Sequence, residues 1–305
     1  MNDVCFQRPK LRHHMFGLAV AWLATAFLAH ASLAQSSNQT TNLVPPGVTS
    51  GPSTRLNLAA KLTGEGALIE RGMVWRVFGD RADESGRLPL IASSQGGSAS
   101  FELPTGSYLV HAAYGRAGAT KKVTLSGEAL DEEVVLQAGG LQLTAKTQGD
   151  PIDESFLRFS IYEWEQDDEG NRKLIALNVG ADRVIRLNAG TYHILSRYGT
   201  INATVRADLQ VKAGEVTQAT LQHRAAKVAL RLVSQFGGDP IANTAWSVFT
   251  DDGEKVFEST NIAPVMVLAE GTYEAAVRHG DDAVRRTFKV TSGENIRVEI
   301  MLNQG

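Results

Sequence analysis

Leu103-Pro-Thr-Gly106-Ser-Tyr108, Leu187-Asn-Ala-Gly190-Thr-Tyr192 and Leu268-Ala-Glu-Gly271-Thr-Tyr273 spell one phrase three times, and that recurrence decides the fold. Nine residues beyond each glycine comes another: Gly115, Gly199 and Gly280. A fixed internal period marks an array of like modules. The shared pattern extends both ways from the phrase. Upstream, Trp75-Arg-Val-Phe78, Phe159-Ser-Ile-Tyr162 and Trp246-Ser-Val-Phe249 align as aromatic, any residue, β-branched, aromatic. Alternating apolar openings precede them at Leu56/Leu58/Ala60, Leu141/Leu143/Ala145 and Val228/Leu230/Leu232. Downstream, Gly127-Glu128, Gly214-Glu215 and Gly293-Glu294 lead into closing runs near Leu136, Leu221 and Leu302. The units therefore run over 54–138, 139–223 and 224–305.

Variable spacing supports the same division. Trp75 to Gly106 and Phe159 to Gly190 are both 31 residues, whereas Trp246 to Gly271 is 25. Most of the deletion falls before Gly253, where Asp251-Asp-Gly253 replaces longer acidic stretches. Turns tolerate deletions and buried strands do not, so this stretch is read as a hairpin tip.

Between the glycines the residues alternate with period two. Tyr108, Val110, Ala112 and Tyr114 share one face; Tyr192, Ile194, Ser196 and Tyr198 share its counterpart. Such alternation predicts half-buried strands, about seven per unit, which suits a two-sheet sandwich. The fold class is all-β: three tandem immunoglobulin-like or transthyretin-like sandwiches. The phrase glycines are expected at φ > 0 in a tight turn that aims Tyr108, Tyr192 and Tyr273 between the sheets. Trp75, Phe159 and Trp246 are expected in the cores. Phe78, Tyr162 and Phe249 fall out of phase with them. Either a bulge turns them inward or they face the neighbouring unit.

Residues 1–34 have the layout of an export signal. Arg8, Lys10 and Arg12 precede an apolar stretch from Met15 to Leu28, and small residues offer cleavage after Ala34 or Ala31. The alternative is a retained anchor, for which the apolar stretch is borderline. Cleavage at Ala34 leaves no cysteine and moves the formal charge from −3 to −5, since three basic residues and one acidic residue leave. A mildly acidic chain of mixed charge gives no support to nucleic-acid binding. Residues 35–53, polar and rich in Pro, Gly and Ser, read as a flexible linker. The joints at Leu136–Leu141 and His223–Ala226 are short, which predicts limited bending between units.

Few residues in the chain point to chemistry. His111, His193, His223 and His279 survive processing, none at metal-ligand spacing, and neither His-Glu-x-x-His nor Gly-x-Ser-x-Gly occurs. No catalytic residue and no cofactor are expected. The acidic tip Asp167, Asp168 and Glu169 offers oxygen ligands for Ca²⁺, set against ordinary turn chemistry. Trp164, which lacks a counterpart in the other units, lies two residues from Tyr162. The pair offers a stacking platform for a sugar or an anchor for a partner, set against packing on a neighbouring strand.

The phrase, its alternating strand, the following glycine and the Gly-Glu closing strand resemble bacterial carboxypeptidase-regulatory-like modules with a transthyretin-like sandwich. More closely, they resemble the tandem repeats of exported α-proteobacterial proteins. The resemblance covers residues 54–305. Unit two departs from it at Phe159, where the others have Trp. A fibronectin-III or immunoglobulin topology is the nearest alternative. The resemblance implies a non-enzymatic, periplasmic or secreted envelope protein acting as a structural spacer or binding scaffold. The rival readings are carbohydrate binding through Tyr162 and Trp164, an accessory subunit docking on an envelope protein, and an enzyme with an unfamiliar site. The partner is accordingly an envelope protein or a glycan, with no membrane insertion once the signal is removed.

Overall fold

Alternation of apolar and polar residues along each run forces strands that bury one face, and the computed structural model shows how those faces meet. It describes residues 40–42, 53–148 and 150–302. The segment read as an export signal, and most of the linker, lie outside the described residues. Within the linker, Thr40–Asn42 form a short strand, β1.

Each unit then contributes seven strands. Unit one has β2 (Ser53–Lys61), β3 (Met73–Gly79), β4 (Leu90–Gly96), β5 (Ala99–Pro104), β6 (Gly106–Tyr114), β7 (Ala117–Leu125) and β8 (Leu130–Val135). Unit two has β9 (Ala138–Lys146), β10 (Leu157–Gln166), β11 (Arg172–Val179), β12 (Val184–Asn188), β13 (Gly190–Tyr198), β14 (Thr204–Val211) and β15 (Val216–Gln222). Unit three has β16 (Ala225–Val233), β17 (Thr244–Thr250), β18 (Lys255–Ser259), β19 (Val265–Ala269), β20 (Gly271–His279), β21 (Asp282–Val290) and β22 (Ile296–Met301).

The pairing repeats without change. The third, second, fifth and sixth strands of a unit form one sheet: β4-β3-β6-β7, β11-β10-β13-β14 and β18-β17-β20-β21. The fourth, first and seventh form the other: β5-β2-β8, β12-β9-β15 and β19-β16-β22, with first and seventh parallel. In unit one β1 adds an outer strand beside β4. This order differs from the immunoglobulin one, in which the first two strands share a sheet.

Three separate cores fill the sandwiches. Trp75, Phe101 and Tyr108 belong to the first, Phe159 and Tyr192 to the second, Trp246 and Tyr273 to the third. Trp75 and Trp246 bury their indoles and still satisfy their N–H groups, on Gly97 O at 2.7 Å and Thr244 Oγ1 at 3.1 Å. Ion pairs such as Arg55–Glu102 and Arg224–Glu270 are substantially exposed and add little to stability.

The phrase tyrosines all make the same hydrogen bond. Each hydroxyl donates to the carbonyl four residues upstream: Tyr108 to Pro104 at 2.8 Å, Tyr192 to Asn188 at 2.8 Å and Tyr273 to Ala269 at 3.0 Å. Two of the phrase glycines have the expected positive φ, Gly106 and Gly190 at +156°, whereas Gly271 is not among the positive-φ residues. Each simply opens its strand. The left-handed conformation belongs to the later glycines, Gly115 (φ 66°), Gly199 (φ 74°) and Gly280 (φ 59°), which turn the hairpin between the fifth and sixth strands.

Two of those hairpins meet the next unit. A Cβ on Gly115 would lie 2.9 Å from Arg186 Cβ, and one on Gly199 would lie 2.8 Å from Val267 Cβ. Nothing approaches Gly280 within 4 Å. Hydrogen bonds tie the same seams: Arg116 N donates to Arg186 O at 3.0 Å in the first, and Ala269 N donates to Asn202 Oδ1 at 3.0 Å in the second. Lys227 Nζ of unit three stands 4.0 Å over the Phe156 ring of unit two.

Two outcomes test this geometry. Tyr108→Phe, Tyr192→Phe and Tyr273→Phe each orphan a carbonyl and should lower stability by about 1–2 kcal/mol in urea denaturation. The largest loss is expected at Tyr273, whose hydroxyl also accepts from Asn202. Second, Gly199→Val and Gly280→Val both incur the left-handed backbone cost of about 1–2 kcal/mol. Only Gly199→Val adds the overpacking cost of about 1–3 kcal/mol, so equal losses would contradict the seam.

Candidate functional site

The second aromatic residue of each unit's second strand faces outward. Pairing slips at Val77/Phe78, Ile161/Tyr162 and Val248/Phe249, yet alternation with the buried Val77, Ile161 and Val248 holds. Phe78, Tyr162 and Phe249 lie in none of the three cores. Tyr162 instead packs its ring 6.4 Å from His193, and Arg285 stands 5.9 Å from the Phe249 ring. No bulge turns these rings inward.

In unit two the slip is larger. Tyr162 pairs with Leu174 and Gln166 with Arg172, so Glu163, Trp164 and Glu165 stand opposite the single residue Lys173. Surplus residues splay a strand and re-aim its side chains. Here they open a groove of about 610 Å³ lined by Glu163, Trp164 and Glu165, Lys173–Ile175, Leu187–Tyr192, and Arg116 from unit one. Trp164 is 44% exposed. One side of its indole carries the Arg172 guanidinium at 4.9 Å from the ring centroid, a cation–π contact. Arg172 Nη1 is buried without a hydrogen-bond partner, so that contact is its main compensation. Glu163 pairs with Lys173 at 2.7 Å. Burial, and secondarily Glu163 and Glu165, push the Tyr192 hydroxyl above the usual phenol range.

The structure thus separates Tyr162 from Trp164: one lies over His193, the other lines the groove. It adds Arg116, Lys173 and Asn188, none singled out by the sequence. Arg116 comes from another unit, so no local pattern announces it. The unmatched Trp164 was the one signal available.

The acidic tip resolves into turn chemistry. Asp167 Oδ1 accepts from Glu169 N at 3.1 Å and Asn171 N at 2.7 Å, while Asp167 N bonds Asn171 O at 2.9 Å. Asp83 does the same with Ser85 N and Arg87 N, and Thr250 with Glu254 N. Each turn closes on a left-handed glycine, Gly86, Gly170 or Gly253. Asp167, Asp168 and Glu169 do not converge on a cation position. Among the described residues no group of three or more His, Cys, Asp or Glu side chains does. Nor is any helix among them long and apolar enough to cross a membrane.

His223, at the joint of units two and three, is 1% exposed. Its Nε2 lies 2.8 Å from Ser196 Oγ, its ring stands edge-on to Tyr198, and its carbonyl accepts from Ser292 of unit three. Burial depresses its pKa to about 4, so it is neutral near pH 7 and structural. His193 is 2.7 Å from Asp208 on the outer face.

The fold and the groove define a class: tandem seven-stranded β-sandwich repeats with an inter-unit cleft. Within it, residues 227–302, the third unit, match the model of the Rhizobiales growth-associated tandem repeat domain. A comparison with curated proteins returns no match. Among solved structures the chain is similar to the Bacillus anthracis TIE protein, at 16% identity over 82% of this chain and TM-score 0.25. It spans half the length of that protein. It is also similar to the minor pilin of Streptococcus agalactiae (13% identity, 56% of this chain and 95% of that one, TM-score 0.32). A streptococcal ancillary pilin matches at 12% identity over 83% of this chain and all of that one, with TM-score 0.30.

The buried imidazole sets a pH dependence. The unfolded chain takes up its proton near pH 6.5, the folded chain only near 4. Its stability contribution is therefore intact above 6.5 and is lost as pH falls through that window, by at most about 1.4 kcal/mol per unit. Urea denaturation across pH 4–6.5 is expected to show this slope, and His223→Gln is expected to lack it.

Proposed function

We propose that this protein is a non-enzymatic envelope protein, periplasmic or secreted, whose three sandwiches act as a stiff scaffold presenting the groove of unit two. The carrying observation is the construction of the seams: hairpin glycines in contact with the next unit, hydrogen bonds across each joint, and short joints between the cores. Such joints suit a spacer that holds a binding surface at a set distance. Export is supported by the charged, apolar and small-residue order of residues 1–34. The non-enzymatic reading is supported by the use of the polar groups a site would need: His223 in a joint, Asp83 and Asp167 in turns. Kinship with carboxypeptidase-regulatory-like modules is supported by the recurring phrase and by the separation of first and second strands into different sheets.

A second reading, carbohydrate binding, is favoured by the exposed Trp164 between Glu163 and Glu165 in a groove of sugar size. An indole face packs on the apolar face of a pyranose while carboxylates accept from its hydroxyls. Partner anchoring uses the same groove. Retention on envelope polysaccharide and cross-linking to envelope proteins, each measured for wild type and Trp164→Ala, separate these uses. The groove reading expects at least a tenfold loss, about 1.4 kcal/mol, in one of them. Unchanged behaviour in both leaves the spacer role alone.

A further inference from the structure

Each four-stranded sheet leaves its outermost strands with a row of unpaired backbone N–H and C=O groups, and such an edge invites another strand. Most of these edges are guarded by exposed charge: Lys121 and Lys122 on β7, Arg206 on β14, Lys255 and Glu258 on β18, and Arg286 on β21. β18 is also short, at five residues. In unit one the corresponding edge strand, β4, is covered. β1 pairs with it antiparallel, setting Thr40, Thr41 and Asn42 opposite Ser94, Ser93 and Ala92. A strand from outside the sandwich thus seats at this position of the fold, and the uncharged stretch Ala92–Ser94 has taken an uncharged strand.

β11, the equivalent edge in unit two, is neither covered nor guarded. Among the described residues it pairs with β10 alone. Only Leu136 and Gln137 separate β8 from β9, so the joint before unit two is too short to lay a strand beside it. Its two cations are engaged within the unit, Arg172 on the Trp164 ring and Lys173 with Glu163 at 2.7 Å. Beyond them Leu174-Ile-Ala-Leu177 carries no charge, and Leu174 and Leu177 are 45% and 54% exposed. Asn178, at φ 55°, interrupts the extended backbone, so the usable edge is Arg172–Leu177.

We infer that β11 is a contact between two copies of this chain: the two strands pair antiparallel about a two-fold axis and join their four-stranded sheets edge to edge. Strand addition draws its affinity from the backbone rows, and a two-fold contact sets one patch against itself. An uncharged apolar edge calls for an uncharged apolar strand. The other open outer strands of these sheets carry exposed charge, so a second β11 is the fitting occupant. Antiparallel pairing sets the Arg172–Lys173 end of one copy against the Ala176–Leu177 end of the other, which keeps like charges apart. It also covers Leu174 and Leu177 of both copies. Leu174 and Ile175 line the groove as well, so two grooves meet at the shared edge. This self-association is separate from the scaffold role and does not depend on what the groove binds.

Light scattering of the purified protein from low to high micromolar concentration is expected to show a monomer–dimer equilibrium. Leu174→Lys and Leu177→Lys, each at an exposed position, place a charge in the edge and are expected to weaken the dimer by about tenfold or more. Val265→Lys, on the outer strand β19 of unit three's other sheet and 61% exposed in the wild type, is expected to leave the dimer unchanged. Circular dichroism and urea denaturation confirm that each variant is folded. A wild type that stays monomeric overturns the inference and leaves the edge to a different polypeptide. A dimer that survives both lysines, or that Val265→Lys weakens as much, overturns it too, because association would then run through another surface or respond to net charge. Should either lysine variant fail to fold, Leu174→Gln/Leu177→Gln repeats the measurement without added charge and with the same expected loss.

Discussion

A buried phenol hydroxyl bonded four residues back along its own chain holds each unit together at the point where the chain crosses between sheets. A tyrosine placed between sheets needs an acceptor for its hydroxyl. The carbonyl it takes belongs in every unit to the last residue of the fourth strand. The bond therefore fixes the crossover between the fourth strand and the fifth. Those acceptor residues, Pro104, Asn188 and Ala269, do a second job with their remaining groups. Asn188 uses its side chain and Ala269 its N–H to reach across a seam, while Pro104 has neither to offer. One residue thus couples the inside of a sandwich to its neighbour, and the corner geometry sets the seam geometry.

Repetition has a consequence for how loops are used. The hairpin between second and third strands ends in the same closed turn in every unit, whether Asp83, Asp167 or Thr250 accepts the backbone N–H groups. A carboxylate committed to its own turn is already satisfied and has little left for a cation, so the acidic tips are accounted for by folding alone. Deletion in unit three shortens the approach to this turn and leaves the turn itself intact. By contrast the hairpin between fifth and sixth strands meets the next unit, and there the left-handed glycines are also required by space at Gly115 and Gly199.

Unit two departs from its neighbours where the pairing of β10 with β11 slips. Three residues stand opposite one there, and Trp164 lines the groove while Tyr162 does not. The groove then gains its far wall from unit one through Arg116, so its shape is a property of the array. His223 follows the same logic from the opposite direction. In sequence it is a polar residue at a joint; between two packed units it becomes a buried neutral imidazole with Ser196 as its partner.

The chain of residues alone determined the repeat, its period, the strand-rich fold and the burial of Trp75, Phe159, Trp246 and the three corner tyrosines. Those properties follow from local alternation and from landmarks copied at fixed spacing, both written in the order of residues. It also pointed to Trp164 by its lack of a counterpart. Only tertiary structure decided that Phe78, Tyr162 and Phe249 face outward, that the phrase glycines open their strands, which carboxamide ties each seam, and where the groove opens. Each of these depends on register and on what a neighbouring strand or unit brings to the same place. Contacts between residues some seventy positions apart leave no periodic trace along the chain, so packing had to supply them.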